Sequence, residues 1–391
     1  MPGTAAAPSR SLHIPSLDGI RACAVLLVFA AHALAQAGVT GVLPGEFGVT
    51  TFFFLSGYLI TTLLRLEHEQ SGAISFRAFY LRRVVRIFPP FYLALIIATL
   101  LWLVGGLPQG PAFELDGVAW QALFATNYWV ILHGWWTGLA PGTWIFWSLA
   151  VEEHFYLAFP LVYVLLLRFV RGRARQALIL AGLCGVVLAW RLVLVLAFGA
   201  GKDRTYVATD TRIDSILFGC ILGIVANPVL GPTRLDHRAW KFVLVPLALV
   251  GLLVSFVIRD AWFQETVAYT LQGICLFPLF IAAVRFPLWG PFELLNLAPV
   301  KFIGVVSYSI YLVHPSVLYG ISHWAARLPS VAQDALALAL TIGIAYGIYV
   351  AVERPAARLR KRLSRALVPE RPAVPAAPPT PAVVAAGRAG S

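Results

Sequence analysis

Residues 17–38 read LDGIRACAVLLVFAAHALAQAG. Three ionisable side chains, Asp18, Arg21 and His32, interrupt an otherwise apolar run of the ~20 residues that an α-helix needs to cross ~30 Å of hydrocarbon. Nine further runs of the same kind follow, at 47–64, 88–106, 146–167, 176–198, 213–228, 241–258, 266–284, 302–322 and 332–352. Hydrophobic residues make up 59% of the 391-residue chain and charged residues 12%, against roughly 45–50% and about 25% in soluble proteins. Mean hydropathy is +0.80. Backbone groups inside lipid must be satisfied within the protein. The expected fold is therefore all-α, a polytopic transmembrane helical bundle of about ten spans.

The formal charge is +12. In a soluble chain that value suggests nucleic acid or an acidic partner, but here the charges are sorted by side of a membrane, and no nucleic-acid partner is expected. With loops assigned alternately, Arg65 to Arg86, Arg168 to Arg175, Arg234 to Lys241, Arg285 to Lys301 and Arg354 to Arg388 share one side with Arg10 and Arg21. That side holds 24 of the 30 Lys and Arg residues, so the positive-inside rule places both termini in the cytoplasm. The assignment requires 107–145 to be an extracytoplasmic or re-entrant loop, although 118–133 (VAWQALFATNYWVILH) is apolar enough to imitate a span. Such a segment either lines a watery cavity or forms an interfacial aromatic belt. One membrane-embedded domain, 13–365, is expected between a disordered N-terminus (1–12) and a disordered Pro/Ala-rich tail (366–391). The opening MPGTAAAPSR is not expected to be a cleavable signal.

An ionisable side chain at the centre of a span costs at least ~2.5–3.5 kcal/mol, so each one needs a reason. His32 follows Arg21 by eleven residues, ~16 Å along the axis and about 20° in angle, which puts both on nearly one helical face. His32 reads either as a general base or nucleophile acting on a hydroxyl or as a structural histidine bonded between helices. Arg83 and Arg86, in FRAFYLRRVVRIFPPFY, share a face at i, i+3. Pro89 and Pro90 suit the first turn of the third span, whose N-terminus would then open beside two guanidinium forks as a phosphate site. Anchorage to anionic membrane lipid is the other reading. Glu152 and Glu153, in GTWIFWSLAVEEHFYL, need a tertiary partner such as His32, Arg212 or a substrate hydroxyl, or must stay protonated. Neighbours in sequence point in different directions, so one of the two is expected to face a cavity. TDTRIDSILFG puts Arg212 and Asp214 at the outer mouth of the sixth span, paired with each other or with an acceptor. SYSIYLVHP sets Tyr308, Tyr311 and His314 along the ninth. Asp18 is expected to cap the first helix. No two histidines stand at i, i+4, so no metal is expected.

In this order the segments resemble the acyltransferase 3 family of integral membrane acyltransferases. The resemblance rests on LDGIRA with Arg21 and His32 at an R/K-x10-H spacing, FFFLSGYLI, RRVVRI with Arg83 and Arg86 as an RxxR pair, WSLAVEEHFYL, RIDSILFG and YSIYLVHP. Departures at Ile20, Cys23 and Ala31 affect only apolar or small positions. The resemblance implies transfer of an acyl group, most often acetyl, from cytosolic acetyl-CoA or another acyl-CoA to a hydroxyl, commonly on a cell-envelope glycan. It also implies a multi-pass protein of the bacterial plasma membrane. On that basis His32 is assigned the catalytic role, with Glu152 and Glu153 orienting the acceptor or the imidazole. Arg21, Arg83 and Arg86 are assigned to the donor, and Arg212, Asp214, Tyr311 and His314 to the acceptor, a carbohydrate or glycolipid. His32 either deprotonates the hydroxyl directly or carries the acyl group as an acyl-imidazole. No hydrolase-like domain is expected after the membrane region, so the acceptor is expected to reach the membrane cavity itself. O-acylation of a macrolide-like secondary metabolite and transport or flipping of a glycolipid are the competing functions, and the absence of internal repeats counts against transport. The residues give no oligomeric state.

Overall fold

A computed structural model describes residues 14–105, 114–231 and 236–367. The expectations for 1–12 and for most of the tail lie outside the described residues; Ala366 and Leu367 close a helix rather than opening a disordered segment. The described residues form helices α1 (Pro15–Gln36), α2 (Gly45–Ser71), α3 (Phe76–Leu103), α4 (Leu115–Ala122) and α5 (Thr126–His133). A 3-10 turn, Thr143–Phe146, leads into α6 (Trp147–Phe169), followed by α7 (Arg173–Phe198), α8 (Lys202–Val207) and α9 (Thr209–Val225). Helix α10 (His237–Ala239) continues through a π turn at Trp240–Leu244 into α11 (Val245–Val257). Then come α12 (Ala261–Glu265), α13 (Val267–Arg285), α14 (Pro291–Leu294), α15 (Ala298–Val305), α16 (Ser307–Trp324) and α17 (Ser330–Ile348). A second π turn, Tyr349–Glu353, joins α17 to α18 (Arg354–Leu367).

Eight of these helical segments are long and apolar enough to cross a membrane, and the bent pair α15–α16 makes a ninth. The expected ninth span is thus not straight: its halves meet at 74°, with α15 laid against α1. The expected sixth corresponds to α9, whose 17 residues reach about 26 Å, at the short end of the lengths that cross a bilayer. Helix α3 begins at Phe76 rather than near residue 88, because Ser75 Oγ caps it by accepting from the Ala78 N–H at 3.3 Å. Pro89 and Pro90 lie inside α3, where they remove the N–H groups that would bond the Val85 and Arg86 carbonyls. No helix N-terminus therefore opens beside Arg83 and Arg86. Asp18 is not a cap either: it stands in the first turn of α1 and accepts from Arg21 Nη1 at 3.0 Å.

Helix α2 is the most enclosed of the spans. It runs along α9 at a separation only glycine permits, since a Cβ on Gly57 would stand 1.9 Å from the Ile216 carbonyl oxygen and one on Gly219 1.9 Å from that of Phe54. Close approach through small residues is how helices gain packing in lipid, where burial of apolar surface supplies no drive. The outer helices α7, α11 and α17 instead present Leu, Val and Ile outward, as lipid contact requires. Within 114–145 the two eight-residue helices α4 and α5 are each about 12 Å long and cannot cross. Among the described residues no single helix there is long enough to cross, and the 3-10 turn rests on α16.

Candidate active site

Helix α1 lines two cavities with one face, eleven residues apart. The first, of about 130 Å³, is lined by Arg21 together with Arg83 and Arg86 of α3, Glu152, Glu153 and Tyr156 of α6, Tyr308 and Tyr311 of α16, and Glu353 of the second π turn. Sequence spacing explains the α6 wall: Ser148, Glu152 and Tyr156 repeat at i, i+4, i+8, and Leu149 and Glu153 flank them on the same side. Both glutamates consequently face the cavity, where only one was expected. Tyr156 donates to Glu152 Oε2 at 2.5 Å and lies 3.1 Å from Ser56 Oγ; neither His32 nor Arg212 is the partner of Glu152. Glu153 Oε1 is enclosed without a hydrogen-bond partner. Arg83 lies over the rings of Phe79 and Tyr156, its Cζ 5.7 Å from each centroid. Glu353 accepts from Ser309 Oγ at 2.5 Å. Three arginines and three glutamates thus share one cavity, and among the described residues no pair drawn from these six forms a salt bridge.

His32 lies in the second cavity, of about 390 Å³, with Gln36, Trp135, Trp136, Pro141, Gly142, Trp144, Pro315 and Tyr319. Its Nδ1 is 2.9 Å from Nε2 of His314, and the two rings are nearly parallel at 8°. The protons on this pair follow from the sequence His314-Pro315. Proline has no N–H, so the carbonyl of Tyr311, four residues before it, loses its helical donor. His314 Nδ1 fills that place at 2.9 Å from Tyr311 O and 3.1 Å from Ile310 O. Carbonyls only accept, so this nitrogen carries the proton. In a neutral ring Nε2 is then an acceptor, His32 Nδ1–H donates to it, and the lone pair of His32 Nε2 is left free. The loop 139–142 is pressed onto the same kink: Ser316 Oγ donates to Pro141 O at 2.8 Å. Gly142 has φ +85°, and a Cβ there would stand 2.3 Å from Ser316 N. Trp144 meets the His32 ring edge-on at 5.1 Å.

Tyr311 and His314, one turn apart on α16, connect the two cavities. Tyr311 lines the first and bonds Ser148 Oγ at 2.6 Å; His314 is fully buried and lines neither. Arg212 and Asp214 also line neither cavity, and they do not pair with each other. Asp214 is held by Arg191 through Nη1 and Nη2 at 2.9 and 2.7 Å, and both residues are fully buried. Arg212 donates to Thr50 Oγ1 at 2.9 Å and lies 3.9 Å from the Tyr269 ring centroid. Arg191 is not among the predicted site residues, although its place inside the apolar run 176–198 marks it. Glu353 was overlooked because it ends the last apolar run, immediately before Arg354-Pro355. Among the described residues no group of His, Cys, Asp and Glu is arranged to hold a metal ion.

Membrane-crossing helices that enclose a histidine pair between a charged cavity and an aromatic one define a multi-pass membrane protein with an internal polar site. The chain belongs to the acyltransferase 3 family: the family model described as Acyltransferase domain matches residues 14–350. It is 32% identical over 359 residues to O-acetyltransferase OatA of Staphylococcus aureus, an alignment covering 88% of this chain and 57% of that protein. It is 31% identical over 316 residues to peptidoglycan O-acetyltransferase OatA of Listeria monocytogenes, covering 78% and 49% respectively. The chain thus spans about half the length of these relatives. No solved structure matches it.

Proposed function

We propose that this protein is a membrane O-acyltransferase that moves an acetyl group from cytosolic acetyl-CoA to a hydroxyl of a cell-envelope glycan or glycolipid, with both termini cytoplasmic. The observation that carries the reading is the free Nε2 lone pair of His32, which lines the second cavity and is fixed by His314. The donor occupies the Arg21–Arg83–Arg86 side, as the guanidinium forks suit phosphate. The acceptor occupies the other cavity, where Trp135, Trp136 and Trp144 offer flat faces to a sugar ring. His32 Nε2 takes the hydroxyl proton while the alkoxide oxygen attacks the thioester carbonyl. The tetrahedral intermediate then expels the CoA thiolate, which recovers the proton from the imidazolium.

The separation of the cavities favours a second route, in which Nε2 itself attacks the thioester. CoA thiolate leaves, and the acyl-imidazole is cleaved by the acceptor oxygen, whose proton passes to the thiolate. Cells expressing wild type, H32A or R83A/R86A and fed isotope-labelled acetate test the function, with envelope glycans and lipids read by mass spectrometry. A labelled ester present in wild type and absent from both variants at equal protein level is expected. Retention by H32A refutes the role of His32, and a labelled peptide containing His32 after acetyl-CoA addition selects the second route.

A further inference from the structure

Helix α18 opens with five cations within nine residues, RPAARLRKR at 354–362. The continuous segment Ser330–Leu363 has 34 residues, about 51 Å, so α18 projects beyond a ~30 Å hydrocarbon layer. Four of its cations, Arg354, Arg358, Lys361 and Arg362, are exposed. Arg360 is not. With Ala356, Ala357 and Leu363 it forms the half-buried stripe of the helix, at the i, i+1, i+4, i+7 spacing of a contact face, and α18 packs on α3. That contact brings Arg360 within electrostatic reach of Arg82, Arg83 and Arg86.

Four guanidinium groups brought together repel one another unless negative charge is interposed. Glu67 is engaged by Arg82 at 2.6 Å, and Glu152, Glu153 and Glu353 stand within electrostatic reach of Arg83 or Arg86 without forming an ion pair with either; at Arg360 itself the charges felt are those of Arg82 and Arg86. Among the described residues Arg83, Arg86 and Arg360 form no ion pair. Arg83 is buried, and its Nε has no hydrogen-bond partner, while Arg86 is exposed at the cavity mouth. An α18 whose only role was to lie on a lipid surface would turn all its cations outward.

We propose that Arg360 completes, with Arg83 and Arg86, a phosphate-binding site between α3 and α18 at the mouth of the first cavity. The site holds the phosphates of an acyl donor whose thioester end reaches inward. Only the identity of the anion rests on the function proposed above; an anionic lipid head group presents the same phosphate chemistry.

The test measures coenzyme A and inorganic pyrophosphate binding to purified protein in phosphatidylcholine nanodiscs, and phosphatidylglycerol retention by native mass spectrometry. R360Q is expected to bind coenzyme A and pyrophosphate about tenfold more weakly than wild type, the loss of one charge-assisted contact. R360K is expected to stay within about threefold of wild type, and R358Q/K361Q/R362Q, altered on the outer face, to match it. If R360Q loses only phosphatidylglycerol, the site stands with a lipid head group as its anion. If wild type binds pyrophosphate but not coenzyme A, and R360Q weakens the former, the site stands while the donor assignment fails. Equal binding of all three ligands by a folded R360Q, or equal weakening by the outer-face variant, overturns the proposal.

Discussion

Replacing His314 by alanine separates positioning from chemistry at His32. The His32 Nδ1–H···Nε2 bond to His314, 2.9 Å long, joins neutral rings in the resting protein and is worth about 0.5–1.5 kcal/mol. In either route His32 gains positive charge, as an imidazolium or an acyl-imidazolium, and a bond to a charged donor is worth about 1.5–3 kcal/mol. The difference, about 1–1.5 kcal/mol, is the stabilisation the transition state gains over the ground state, and it corresponds to about 5- to 13-fold in rate. H314A is therefore expected to lower kcat by that factor. KM for acetyl-CoA should hold within about threefold, because His314 lines neither cavity. H314Q, which can keep an acceptor oxygen near the Nε2 position, should fall between H314A and wild type. The assay is CoA release in membrane vesicles, with labelled ester counted in parallel. A kcat for H314A within twofold of wild type refutes the positioning role; one as low as that of H32A refutes the division of labour between the two rings.

Four other outcomes follow from the packing. Arg191→Ala or Asp214→Ala leaves one charge of a fully buried pair without its partner, which is expected to destabilise by about 3–5 kcal/mol; thermal melting in detergent should show both falling well below wild type. G57L drives a side chain into the Ile216 carbonyl, whereas a Cβ at Gly182 meets nothing within 4 Å. Size-exclusion profiles should show G57L aggregated and G182A monodisperse. G142A demands a positive φ from alanine and a Cβ inside contact distance of Ser316 N, so transfer should drop at least tenfold while the protein still folds. P315A returns an N–H to the Tyr311 carbonyl in competition with His314 Nδ1, and should raise the melting temperature while lowering kcat less than H314A does.

Apolar runs near the membrane thickness gave the bundle directly, since length and composition decide where a helix crosses. Proline pairs gave less, because the same Pro89–Pro90 that can start a helix can also sit inside one whose true start, Ser75, carries a cap ten residues or more upstream. Arg21 and His32 on one face of α1 followed from helical arithmetic alone. That His32 meets His314, or that Asp214 chooses Arg191 over Arg212, depends on which helices pack side by side, and a single sequence holds no record of that. Ser309 lies just after the 74° bend and Glu353 at the end of a π turn, two departures from the straight helices that periodicity assumes.

A short run of α16 backbone links the walls of the two cavities. Tyr311 presents its ring to the charged cavity and its carbonyl to His314, and His314 in turn holds His32 at the edge of the aromatic cavity. Every link is set by residues 311–315 of α16, the segment that follows the bend at Val306, and by the missing N–H of Pro315. A shift of α16 that moves the Tyr311 ring therefore also moves the nitrogen on which the His32 proton depends. Tyr311 bonds Ser148, one turn before Glu152 on α6, so occupancy of the charged cavity and the orientation of His32 share one mechanical element. If the charged cavity takes the proposed donor, the helix that contacts it is also the helix that aligns the imidazole.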